Sequence, residues 1–147
     1  MPKASMQFKT VVPASKSEVF SYVSDLTKHG DWAGNELVIV PEDSGAGEPT
    51  TGRTYKSTAT VRNLQFNAVL TVTEYAPNNR FAFKGEDSTG KFVHTFAFEA
   101  AGRETKVVRT AEFDLSVYLW IRFWVLYLPV RRPAGIKAMT NLAERFN

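Results

Sequence analysis

Residues 91–100, KFVHTFAFEA, alternate strictly, with Phe92, His94, Phe96 and Phe98 on one face. The turn AGRE follows, and then the β-branched run TKVVRTAEFDL. Two period-2 runs joined by a turn this short are the signature of an antiparallel hairpin. The same grammar extends upstream. ELVIVP, RTYKSTATVR, FNAVLTVTEY and FAFKG read as strands, separated by EDSGAGEPTTG, APNNR and EDSTG. Pro77 and Asn78 suit the middle of a turn. A first strand, SMQFKTVV, puts Met6, Phe8, Thr10 and Val12 on one face and ends at Pro13. About seven strands of a mostly antiparallel sheet are predicted.

Helices occupy the remainder. Ser15 with Glu18 three residues on is a capping box, and Val19, Phe20 and Val23 follow as a short apolar stripe. SDLTKHGDW predicts a second short helical piece that breaks near Gly30, so that the two form a V. At the end of the chain Ile136, Met139, Thr140, Ala143 and Phe146 fall at helical spacing. Pro129 and Pro133 are expected to kink this helix or delay its start. No repeat, linker or low-complexity tract marks a second domain, so residues 1–147 are expected to form one domain.

The order is one strand, two short helices, six strands and a long terminal helix. It resembles the α+β helix-grip fold, a seven-stranded curved antiparallel sheet wrapped around the C-terminal helix. VPASKSEVFSYVSDLTKHGDW, Gly52 opening GRTYKS, TVTEYAPNNRFAF and the closing NLAERF carry a resemblance to the START-like (SRPBCC) superfamily. Within it, the chain resembles the polyketide cyclase/dehydratase-like branch. These are fold markers, and fold alone does not fix function. The resemblance implies a START-like ligand-binding domain with an internal cavity between the sheet and the terminal helix.

That implication bears on residues 118–127, YLWIRFWVLY, where five of ten side chains are aromatic. A membrane span needs about 20 apolar residues; here Arg122 interrupts a shorter run and Pro129 ends it. The resemblance instead puts Trp120, Phe123, Trp124 and Tyr127 in the wall or lid of the cavity. From Ser116 onward there are five basic residues, with Glu144 the only acid. A basic, aromatic segment of this kind also suits a membrane surface or an acidic partner, but the simpler and favoured reading is a helix with arginines on its wet side.

Polar candidates are few. If Phe92, Phe96 and Phe98 face inward, so does His94, as a general base, a contact for a ligand oxygen, or a core histidine. Arg109 shares a face with Val107, Ala111 and Phe113. A guanidinium inside a cavity is costly unless something meets its charge, and a carboxylate or enolate of a ligand would do so. A one-residue slip would turn Arg109 outward and Glu112 inward, and the sequence leaves both phases open. Tyr55 and Ser57 share a face of their strand with Ala59. Trp32 is expected at the cavity mouth or packed under the helical V.

Other chemistry is disfavoured. With His29 and His94 the only histidines and no cysteine, a metal site is not expected, and no cofactor is implied. There is no phosphate loop and no nucleophile elbow. The sequence pI of about 9.2 comes without a basic run or motif for nucleic acid. The absence of cysteine and of an apolar leader fits the cytoplasm. The leading expectation is a binder of a small hydrophobic molecule, aromatic or lipid-like, with His94, Arg109 and Tyr55 as polar contacts. The alternative is a cyclase/dehydratase-type enzyme with catalytic candidates among the same three. A third reading is a module docking on a membrane or partner. Oligomeric state is not set by the sequence.

Overall fold

The computed structural model describes residues 3–34, 36–42, 50–61, 63–87, 90–114 and 128–146. Strand β1 (Lys3–Val12) is followed by helix α1 (Lys16–Ser24) and a 3-10 helix (Leu26–Asp31). Then come β2 (Val38–Pro41), β3 (Thr54–Val61), β4 (Leu64–Ala76), β5 (Arg80–Asp87), β6 (Gly90–Ala101), β7 (Glu104–Asp114) and helix α2 (Leu128–Glu144). The strands form one sheet in the order β1-β7-β6-β5-β4-β3-β2, antiparallel at every pairing. This is the helix-grip arrangement expected from the order of elements.

Alternation decides which face is inner. On β6, Phe96 and Phe98 are buried and Glu99 is exposed; on β5, Phe81 and Phe83 are buried and Lys84 is exposed. β4 needs one correction to its period. A bulge between Val72 and Glu74 inserts an extra residue, so that Leu70 and Val72 before it, and Tyr75 after it, pack with the core. The tight turns fall at Asn78 and Gly102, whose φ angles of 65° and 66° lie in the left-handed region that asparagine and glycine enter most readily.

The helical V closes one end of the sheet. Ser15 caps α1, accepting a bond from the Glu18 backbone N–H at 3.3 Å. Val19, Phe20 and Val23 are buried, and Phe20 meets Phe98 and Tyr75 edge-on at 5.3 and 5.4 Å. Asp25 makes the elbow: its Oδ1 accepts from the Thr27 backbone N–H at 3.1 Å and from the Thr27 hydroxyl at 2.5 Å. At Gly30 the 3-10 turn runs against β2's approach, and an added Cβ would strike the backbone oxygen of Leu37. A carbonyl fixed in the chain cannot swing aside as a side chain can. Gly30→Ala is therefore expected to cost about 1–3 kcal/mol, read as a lowered urea midpoint.

Helix α2 packs mainly on β1. The ring of Phe8 lies against Gly135, where an added Cβ would enter it, and Ala138, Met139 and Leu142 continue that buried stripe. The stripe read from spacing is thus partly out of phase. Met139 is buried as expected, but Ile136 is 53% exposed and Thr140 faces out, its hydroxyl donating to the Ile136 carbonyl at 3.1 Å. Close approach of Phe8 at Gly135 sets the rotation, and hydropathy periodicity does not see it. Pro133 lies inside the helix, so of the two expected effects, a kink or a delayed start, the delay does not apply to it. At its far end α2 ties back to the V: Arg145 donates to the Asp31 carbonyl at 2.8 Å and Asn141 to that of Trp32 at 3.5 Å.

Candidate functional site

The inner face of β6 and β7 carries polar side chains among aromatic ones. In register, Arg109 stands between Phe8 on β1 and Phe96 on β6. His94 stands between Ala111 on β7 and Phe83 on β5. Glu112 is exposed and Ala111 buried, so Arg109 takes the inward phase, and Glu112 is excluded as its inner-face partner. Glu74, on β4, accepts from Arg80 Nε at 2.5 Å.

Arg109 and His94 meet. Arg109 Nη2 lies 3.3 Å from His94 Nδ1. A guanidinium only donates, so Nδ1 accepts and the His94 proton sits on Nε2. The guanidinium carbon also stands 5.6 Å from the Phe96 ring and 5.9 Å from the Trp32 ring, distances at which the ring quadrupoles stabilise a cation. Phe83 stacks on His94 at 5.2 Å, and Phe92 and Phe113 approach it edge-on at 5.5 and 6.2 Å. Phe92 in turn lies over Gly85, which has no side chain to obstruct it. Phe92, His94, Arg109 and Phe113 are half-buried, whereas Phe96 is fully buried.

Beneath this group lies a histidine that sequence reading considered only as a metal ligand. His29 is 3% exposed and packs on Trp32, Phe83 and Phe96 at 4.8, 5.8 and 5.9 Å. Its Nε2–H donates to the Val23 carbonyl at 2.7 Å. Burial, with the nearby Arg109 charge adding to it, pushes its pKa down to about 4; the bond to Val23 and the charge of Asp25 oppose the shift. His29 is thus neutral at pH 7. Its only sequence signal was its place between the α1 stripe and Trp32 in KHGDW. Phe83 was missed as well, and pairing FAFKG with the β6 run would have found it.

Trp32 is 1% exposed, packed under the V beside Phe96 rather than standing at an exposed mouth. Phe98 is buried against Phe20 beneath α1. Tyr55 and Ser57 are buried on β3, with β4, β5 and β6 between them and β7. Tyr55 has Arg53 over its ring at 5.2 Å. The structure therefore brings together Trp32, Phe92, His94, Phe96 and Arg109, while Tyr55 and Ser57 lie on β3 and Phe98 packs on Phe20. Trp120, Phe123, Trp124 and Tyr127 lie outside the described residues. Among the described residues no helix is long and apolar enough to cross a membrane.

Comparison with known proteins agrees with this architecture. The family model described as polyketide cyclase / dehydrase and lipid transport matches residues 3–145, and the chain belongs to that family. Among solved structures it is similar to a Thermus thermophilus protein (TM-score 0.74, 18% identity, 97% of each chain covered). It is also similar to a Chromobacterium violaceum protein (0.71, 12%, 97% of this chain and 96% of that one). Ara h 8.0201 shares the fold at a TM-score of 0.65 and 10% identity, over 97% of this chain and 99% of its own. No curated protein sequence matches the chain significantly. Family and fold together suggest hydrophobic ligand binding.

Proposed function

We propose that the chain is a single ligand-binding domain that holds a small hydrophobic molecule, aromatic or lipid-like, between the inner face of its sheet and helix α2. The observation that carries this reading is the Arg109–His94 pair within an aromatic surround of Trp32, Phe83, Phe92, Phe96 and Phe113. Apolar walls supply affinity and a few converging polar groups supply orientation. The half-buried Phe92 and Phe113 are the walls within a ligand's reach, while Phe96 and Trp32 form the floor. Titration with the neutral probe N-phenyl-1-naphthylamine is expected to give a saturable fluorescence rise. Phe92→Ala should weaken that binding about tenfold, the worth of much of one aromatic contact. An unsaturable response, with tryptophan emission moved only by anionic lipid vesicles, would replace this reading with a membrane-docking module.

A second reading, a cyclase/dehydratase-type enzyme, has one observation in its favour: the 3.3 Å contact that holds His94 in the Nε2–H form. In that form His94 can donate a hydrogen bond to a ligand oxygen, and Arg109 can stabilise the negative charge of an enolate. Turnover of a linear polyketone thioester, lost in His94→Gln while the probe still binds, would favour the enzyme.

A further inference from the structure

Trp32 sits in the floor of the candidate site with an unmet hydrogen bond. Its indole is 1% exposed, and its Nε1–H is buried without a hydrogen-bond partner among the described residues. Such groups are uncommon in folded proteins, and each calls for an explanation. The neighbours supply part of it. Around the indole stand the ring of Phe96 at 6.1 Å, the guanidinium carbon of Arg109 at 5.9 Å and the ring of His29 at 4.8 Å. Phenylalanine has no acceptor, and a guanidinium only donates. His29 has one acceptor. Its Nε2 bonds the Val23 carbonyl at 2.7 Å; a carbonyl only accepts, so the proton sits on Nε2 and the lone pair on Nδ1. Burial brings the pKa of this ring down to about 4, so the lone pair is kept at pH 7. Both residues are held in place. The Val23 bond fixes the imidazole, while the Trp32 backbone N–H donates to the His29 carbonyl at 3.2 Å and the Trp32 carbonyl accepts from Asn141 at 3.5 Å. The floor therefore holds a donor and an acceptor that do not bond each other, on rings 4.8 Å apart. One oxygen bonded to both would span about 5–6 Å, which matches that separation.

We infer that the ligand of this site carries a hydroxyl, which accepts from the indole N–H of Trp32 and donates to Nδ1 of His29. The proposal rests on reading the inner face as the ligand site and deepens it. A hydroxyl both accepts and donates through one atom. A ketone or ether oxygen would meet Trp32 and leave Nδ1 unmatched. A buried water has the same chemistry as the hydroxyl, and affinity separates the two sources. The apolar body of the ligand then lies along Phe92, which is half-buried.

The test is displacement of N-phenyl-1-naphthylamine by 2-naphthylmethanol, 2-acetylnaphthalene and 2-ethylnaphthalene. The three share a bicyclic body and carry a hydroxyl, an acceptor alone, and neither. Wild-type protein is expected to bind 2-naphthylmethanol about tenfold more tightly than 2-ethylnaphthalene and about threefold more tightly than 2-acetylnaphthalene. Trp32→Phe keeps a ring and loses the N–H. It should cut the tenfold ratio to about threefold or less, with 2-ethylnaphthalene within about threefold of its wild-type affinity. Equal wild-type affinities for 2-naphthylmethanol and 2-ethylnaphthalene would overturn the ligand hydroxyl, assign the oxygen between the rings to a water, and leave the apolar site standing. A ketone as tight as the alcohol would overturn the part given to His29, and a ratio that survives in Trp32→Phe the part given to Trp32. An unsaturable response to the fluorescent probe itself would overturn the site together with the hydroxyl. The wild-type ratios decide the matter even if the variant fails to fold.

Discussion

Phe96→Ala is expected to destabilise the protein by about 3–5 kcal/mol. Phe96 has no exposed surface and sits where the two halves of the fold meet. Its ring contacts Phe81 on the neighbouring strand at 6.4 Å, and His29 and Trp32 of the 3-10 turn at 5.9 and 6.1 Å. Truncation removes the transfer energy of a whole aromatic side chain and leaves a void that a sheet hydrogen-bonded on both sides of β6 cannot collapse to fill. It also strips one ring from beneath the Arg109 guanidinium, so that a partly desolvated cation loses a favourable face. Urea unfolding followed by far-UV circular dichroism measures the loss. Phe96→Leu, which keeps most of the volume, should cost clearly less. Equal costs for the two would mean that ring contacts and cavity volume matter little at this position.

How far such a residue is legible in the sequence depends on what fixes its environment. Phe92, His94, Phe96 and Phe98 could be assigned to one face from period-2 alternation alone, because a strand has only two faces and three of these residues are phenylalanine. Arg109 could not be oriented that way: Val107 and Ala111 accompany it on one phase, Val108 and Thr110 on the other, and both phases look half apolar. Tertiary pairing settles it, since β7 lies between β1 and β6 with Phe8 and Phe96 on either side of Arg109. The same limit explains Ile136. A helix reads as a stripe of hydropathy, but its rotation was set by a ring packing on Gly135, a residue that carries no hydropathy signal. Tyr55 and Ser57 looked equivalent to Arg109 as inward polar positions; strand order alone separates them, and no local pattern encodes strand order. His29 shows the converse. Nothing in KHGDW distinguishes a surface histidine from one buried among Trp32, Phe83 and Phe96, because the burial comes from strands more than fifty residues away in the chain.

That buried histidine makes stability depend on pH in a defined direction. His29 is held neutral because a charged imidazolium there would be out of water and near Arg109, which brings its pKa down to about 4 from an ordinary 6.5. In the unfolded chain the ring is solvated and takes up a proton as the pH falls through about 6.5. Between these two values the unfolded state binds the proton and the folded state does not, so acidification draws the equilibrium toward unfolding. The stability conferred by keeping His29 neutral is complete above pH 6.5 and is lost progressively as the pH falls toward 4. Between pH 7 and pH 4.5 the expected loss from this one group is about 2–3 kcal/mol. His29→Gln keeps a side-chain N–H to offer the Val23 carbonyl but has no titrating ring. Its stability should therefore change less over the same interval, even if its value at pH 7 is lower. Urea midpoints for both proteins at pH 7, 5.5 and 4.5 make the comparison, which cancels every titrating group the two share. Parallel curves would show that His29 does not carry the acid sensitivity. Convergence of the curves toward low pH would show that the floor of the candidate site folds around a neutral imidazole.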